Sequence, residues 1–207
     1  MVKKAALGEP HTMSTATAGN SWINTADGQN PEVIARARHI LDRTIYCTLS
    51  TCSPQGQPWA SPVFFAYDPG WALYWASATV SQHSQNLSAI AIYSTQPGEG
   101  QSQGLYLSGR AAEVEPESVA QVIPLLNQRS GQGHRRTPAD YLPPSPRRLY
   151  RFEPQQVWIT GVRLALSETV LVDTKIELDL TALINLSHQY PRLVPPFALA
   201  ALAPYRS

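Results

Sequence analysis

Trp71-Ala72-Leu73-Tyr74-Trp75-Ala76-Ser77-Ala78-Thr79-Val80-Ser81-Gln82-His83-Ser84-Gln85-Asn86-Leu87 is the stretch on which the reading of this chain turns. Trp71 to Ala76 predicts a strand, and Ser88 to Ser94 predicts another. Between them the backbone must turn, and the turn carries Ser77, Thr79, Ser81 and Ser84 with Gln82, His83, Gln85 and Asn86. Hydroxyls, amides, imidazole and exposed N–H groups converge readily on the oxygens of an anion such as a phosphate. A solvated turn uses the same residue types, so what flanks the segment has to decide between the two.

Upstream, Asn30-Pro31-Glu32 is a helix start: a capping Asn, a Pro at the first helical position and an acid in the first turn. Val33, Ala37, Ile40 and Leu41 follow at helical spacing to about Arg43. From Thr44 the period becomes two, with Ile45, Cys47, Leu49 and Thr51 on one face. Ser53-Pro54-Gln55-Gly56 is turn chemistry, and a second strand runs from about Gln57 to Tyr67. Asp68-Pro69-Gly70 predicts a tight turn with positive φ at Gly70. The third strand then completes a meander.

Downstream of the polar turn, a Gly-rich break leads to a fifth strand, Gly104 to Val114. Glu115-Pro116-Glu117 opens a helix that Pro124 should kink or shorten. A sixth strand begins at about Arg148 and continues past Pro154 to Ile159, while Leu171 to Leu180 fits strand or helix. Six short strands with helices at two connections make a mainly β protein, a small antiparallel barrel whose closure removes exposed edges. No Gly-rich loop joins a strand to a helix, which argues against a dinucleotide-binding doubly wound fold.

Composition narrows the function. The 207 residues suffice for one domain, 43 % are hydrophobic, and only 15 % are charged against roughly 25 % in an average domain. A net charge of +1 gives no field to recruit nucleic acid or an anionic membrane. Cys47 and Cys52 fall on opposite faces of one strand, so a mutual disulfide is sterically poor and a reduced, cytoplasmic setting is expected. No apolar run is long enough to span a bilayer. His11, His39, His134 and His188 are scattered, giving no metal site, and no Gly-x-Ser-x-Gly elbow occurs. Residues 1–29 read as a flexible tail, 30–180 as the barrel domain and 181–207 as an extension packing on the barrel or on a dimer.

The order of these elements resembles the pyridoxamine 5'-phosphate oxidase-like family of FMN-binding split barrels. The matching segments are Pro58 to Tyr67 (PWASPVFFAY), Trp71 to Ser77, Ser81-x-His83-x-x-Asn86-Leu87, Gly104 to Gly109 with Glu113-Val114, and Leu149 to Pro154 with Val157-Trp158. They cover about residues 31–180. The resemblance implies a six-stranded antiparallel split barrel, and a homodimer with FMN at the subunit interface, used as a redox cofactor for a small-molecule substrate. The alternative for this chain is a non-catalytic flavin-, haem- or deazaflavin-binding module, a sensor or carrier, since the family's barrel also serves haem and deazaflavin.

Carried onto this chain, the resemblance gives Ala76, Ser77, Ser81, Gln82 and His83 the flavin phosphate, with Asn86 closing that pocket. Pro62, Val63 and Phe64 would run along the isoalloxazine ring through backbone contacts. Trp158 would approach the ring from the second subunit. Two departures matter. The family's Ser-Arg-Lys turn reads Ser81-Gln82-His83 here, which exchanges two fixed charges for an amide and a titratable ring. The Arg-x-His segment that serves the substrate in the family's pyridoxamine phosphate oxidases is missing after Trp158. Vitamin B6 oxidation is therefore not expected, and no catalytic acid or base is assigned.

Overall fold

The computed structural model describes residues 16–85, 87–93, 103–131 and 135–189. In chain order the strands are β1 (Ile23–Asn24), β2 (Tyr46–Cys52), β3 (Pro58–Tyr67), β4 (Leu73–Ala78), β5 (Leu87–Tyr93), β6 (Gly104–Glu113), β7 (Arg147–Thr160), β8 (Leu164–Ala165), β9 (Leu171–Val172) and β10 (Lys175–Leu178). The helices are α1 (Pro31–Arg43), α2 (Gln82–Gln85), α3 (Val119–Ser130) and α4 (Leu180–Gln189). Strands run in the order β7-β4-β3-β2-β5-β6, and β6 pairs back onto β7 to close a six-stranded antiparallel barrel. The expected meander, β2-β3-β4, is part of it.

Strand alternation fills the barrel. Cys47 and Leu49 of β2, Val63 and Phe65 of β3, Leu73 and Trp75 of β4, Ile90 and Ile92 of β5, Leu105 and Leu107 of β6, and Phe152, Val157 and Ile159 of β7 form one buried cluster. The apolar stripe of α1, Val33 to Leu41, packs into the same cluster. Asn30 caps α1 as the sequence indicates, accepting a bond from the Glu32 N–H at 2.9 Å. A second cluster lies outside the barrel wall, where α3 sets Val119, Val122, Ile123 and Leu126 against Ala66, Ala72, Tyr74 and Leu149. Pro124 neither ends nor shortens α3: the proline removes one intrahelical bond, and four buried side chains hold the helix to Ser130.

Two further details differ from the sequence reading. Within the segment expected to be a tail to residue 29, Ile23–Asn24 pairs in parallel with β10, and Asn24 is buried. In the turn after β3, positive φ falls on Trp71 (66°) rather than on Gly70. The strain is held because the Trp71 ring is buried and its Nε1 donates to Ser187 Oγ of α4 at 2.9 Å. β7 runs on past Pro154 as expected and bulges there: adjacent Ser108 and Gly109 of β6 oppose Gln156 and Pro154, leaving Gln155 as the extra residue. A Cβ at Gly109 would lie 2.0 Å from the Glu153 carbonyl oxygen, so only glycine fits that approach. Residues 1–15 of the expected tail and 190–207 of the expected extension lie outside the described residues.

Candidate functional site

The barrel is split. The β3–β4 ladder covers only Phe65–Tyr67 against Leu73–Trp75. Before Phe65, β3 pairs only with β2 among the described residues, and Ala76, Ser77 and Ala78 of β4 pair only with β7. The two strands diverge and leave a gap in the wall. Ser61 and Ser77 are the buried, inward-facing residues on either side of it.

The polar turn sits over this gap. Thr79 N–H donates to the Pro146 carbonyl at 3.1 Å, Ser81 N–H to the Ala78 carbonyl at 3.0 Å, and Ser84 Oγ to the same Ala78 oxygen at 3.1 Å. These bonds seat α2 against β2 and β3. His83 then bridges the split: its Nε2 lies 2.7 Å from Ser77 Oγ and its Nδ1 3.1 Å from Ser61 Oγ. Ser77 Oγ donates to Ser81 Oγ at 3.2 Å, and Trp59 Nε1 donates to Ser61 Oγ at 3.0 Å. The result is one chain of donors, Trp59–Ser61–His83–Ser77–Ser81.

Burial keeps this network uncharged, holding the His83 pKa below its usual 6.5. Just inside it, Thr51 Oγ1 and Trp75 Nε1 are buried with no hydrogen-bond partner among the described residues. Thr51 shares the inner face of β2 with Leu49, which pairs with Ser61, and Trp75 precedes Ser77 on the inner face of β4. Buried orphan donors are rare in folded chains, and these two border the gap.

The residues assigned from sequence divide into two sets. Ser77, Ser81 and His83 are brought together. Val63 points into the core, whereas Pro62, Phe64 and Ala76 lie on the outer faces of their strands. The Phe64 ring packs between Tyr46 (centroids 6.1 Å apart) and the Arg136 guanidinium at 5.1 Å, away from the imidazole. Gln82 begins α2, and Asn86 lies outside the described residues. Trp158 sits on β7 between Tyr106 and Glu177, ten residues from the Arg148 that pairs with Ser77 and on the order of 30 Å away by strand rise. Within one chain it does not reach the His83 network. Ser61 and Trp59 went unassigned; the signal was Ser61 standing at the inward parity of Val63 and Phe65.

The sequence pattern of the pyridoxamine 5'-phosphate oxidase family matches residues 34–161, more than half of the chain. The chain belongs to that family. No curated protein matches it in sequence. Among solved structures it is similar to a haem-binding protein from Mycobacterium smegmatis, with 22 % identity, a TM-score of 0.52, and coverage of 75 % of this chain and 61 % of that one. It is also similar to Campylobacter jejuni ChuZ, with 15 % identity, a TM-score of 0.53 and coverage of 63 % and 56 %. An Agrobacterium tumefaciens protein of unknown function gives 22 %, 0.50, and coverage of 66 % and 60 %. This chain spans less than two thirds of the length of each. At these identities the likeness is one of fold.

Proposed function

We propose that this family member is a cytoplasmic FMN-binding flavoprotein, a homodimer that acts as an FMN-dependent oxidoreductase on a small molecule. The observation that carries the reading is the donor chain across the split, Trp59–Ser61–His83–Ser77–Ser81, with Thr51 and Trp75 unpartnered beside it. Ser61, Ser77, Ser81 and His83 would hold the phosphate, because each carries an O–H or N–H that can donate to its oxygens at one end of the gap. The unpaired edge of β3 from Pro58 to Phe64 supports backbone contacts of Pro62, Val63 and Phe64 to a flat ring. FMN, when bound, supplies hydride or electron transfer at its ring. The protein's part is to fix the phosphate, align the ring and exclude water.

A second copy of the chain suits the exposed Tyr46 and Trp59, which leave large apolar area at the strands bordering the split. His83 also favours a second reading, because a neutral imidazole is the usual haem-iron ligand and a haem-binding protein shares the fold.

One experiment addresses both. The purified chain is titrated with FMN and, separately, with hemin, and its absorbance and size in solution are recorded. FMN binding that weakens tenfold or more (~1.4 kcal/mol) in the Ser81→Ala, His83→Ala double variant supports the flavin reading. A Soret band with no flavin binding replaces it with the haem reading. Unchanged FMN affinity in the double variant moves the phosphate elsewhere, and a monomer at all concentrations removes the dimer.

A further inference from the structure

We infer that Arg148, released from Glu113, is the cation this site presents to an anionic ligand, and that it sets a preference for a phosphorylated over a dephosphorylated flavin. The inference rests on the flavin reading above. Ser61, Ser77, Ser81, Trp59 and neutral His83 are donors without charge, whereas a phosphate monoester carries nearly two negative charges at neutral pH. Hydrogen bonds in which one partner is ionised are roughly twice as strong as neutral ones. A site of neutral donors therefore holds a phosphate poorly unless a cation stands close by.

Register supplies one. In the β4–β7 ladder Arg148 pairs directly with Ser77, and Trp75 with Tyr150. Directly opposed side chains in an antiparallel pair project from the same face. The stacking of Trp75 on Tyr150, centroids 5.8 Å apart and planes 18° apart, shows that this face is the inner one. Two residues further along, Ser77 and Arg148 share it. Ser77 is the residue that bonds His83. Arg147, by the same parity, pairs with Ala78 on the opposite face and is exposed.

Arg148 is restrained but not locked. Its Nε lies 3.2 Å from Glu113 Oε1, and its Nη1 donates to the carbonyls of Ser145 (2.6 Å) and Arg147 (2.8 Å). The Glu113 side chain is half exposed, and pairs with an exposed carboxylate are weak. A phosphate at Ser77 competes with Glu113 for the guanidinium, offering two charges and several oxygens in place of one carboxylate. Riboflavin, which lacks the phosphate, gives Arg148 nothing to bind. Arg148 thus acts on the phosphate end alone.

The test titrates the full chain with FMN and with riboflavin, following flavin fluorescence, in wild type, Arg148→Gln and Glu113→Gln. Expected is a roughly tenfold or greater loss of FMN affinity in R148Q, unchanged riboflavin affinity, and tighter FMN binding in E113Q, where the competing carboxylate is gone. A wild type that prefers FMN, with the preference intact in R148Q and unmoved in E113Q, overturns the role of Arg148 and leaves the flavin reading standing. A wild type that binds neither flavin overturns the flavin reading and this inference together. Should R148Q fail to fold, E113Q alone decides, because the FMN-to-riboflavin preference must rise in it.

Discussion

The inner face of β3 carries two polar clusters, about 20 Å apart by strand rise, and they are built on opposite plans. At one end Ser61 joins His83, Ser77, Ser81 and Trp59 in an uncharged network across an open seam, with two orphan donors beside it. At the other end Tyr67 donates to Asp42 of α1, and Arg129 of α3 lies over the rings of Phe65 (4.7 Å) and Tyr67 (5.1 Å). Arg129 Nη2 donates to the carbonyls of Leu41 and Thr44, the last turn and cap of α1. Burial lowers the Arg129 pKa to about 10 and raises that of Asp42, yet each remains beside the other's opposite charge. The charged cluster clamps two helices to the barrel. The uncharged one spans the place where two strands part, which suits a ligand site; the charged one closes on the end of a helix, which suits a clamp.

The sharpest way to break this contrast is Arg129→Met. It leaves two helix-end carbonyls unbonded and removes one of the two guanidiniums beside Asp42, Arg38 remaining, for an expected loss of about 3 kcal/mol. Urea unfolding measures it. A loss below about 1 kcal/mol would mean that the clamp is dispensable and the two ends are not different in kind. His83→Ala is the opposite experiment. Its two bonds go to hydroxyls that water can satisfy, so stability should change by about 1 kcal/mol or less while FMN affinity falls severalfold. A variant that unfolds early but binds as before would reverse the assignment of the two ends.

Acidity sharpens the contrast next. The folded His83 pKa is depressed, so between that value and 6.5 the unfolded chain binds a proton that the native chain does not. Stability from this group is present above pH 6.5 and is lost as pH falls through the window. An anion at Ser77 and Ser81 stabilises the imidazolium, so FMN binding should take up a proton and tighten over the same range. Calorimetry in buffers of different ionisation enthalpy reads the uptake. Binding that takes up no proton at pH 6 would leave His83 in the site as a neutral donor and the phosphate's charge to Arg148.

The clamp and the seam were not equally visible in the sequence. Pro58 to Tyr67 and Trp71 to Ser77 alternate cleanly, and Asn30-Pro31-Glu32 caps a helix, so barrel and first helix follow from local pattern. The Ser77, Ser81 and His83 group was legible because it is contiguous. Ser61 was not, since it stands 22 residues from His83 and meets it only where β3 and β4 part. Nothing local marks that parting, which depends on how the whole ring of strands closes. Arg129 meets Leu41 from 88 residues away for the same reason, and the Ile23–Asn24 pairing is too short to show a period.

The smallest expected effect uses the two cysteines, one near each end of β2. Cys47 is buried near Arg129, and burial lifts its thiol to about 12 with the guanidinium only partly offsetting that; Cys52 is exposed at the other end of the strand, opposite Pro58. Thiolate is the reactive form, so Cys47 should label only when the clamped end opens. Cys52 should label in the folded state. Thiol titration of the native chain is expected to count one fast group, with the second appearing at the rate of unfolding. In Arg129→Met the slow group should speed up while the fast one stays as it was, because the variant loosens only the clamped end. Equal acceleration of both would show that the barrel opens as one unit and that its two ends are not independent.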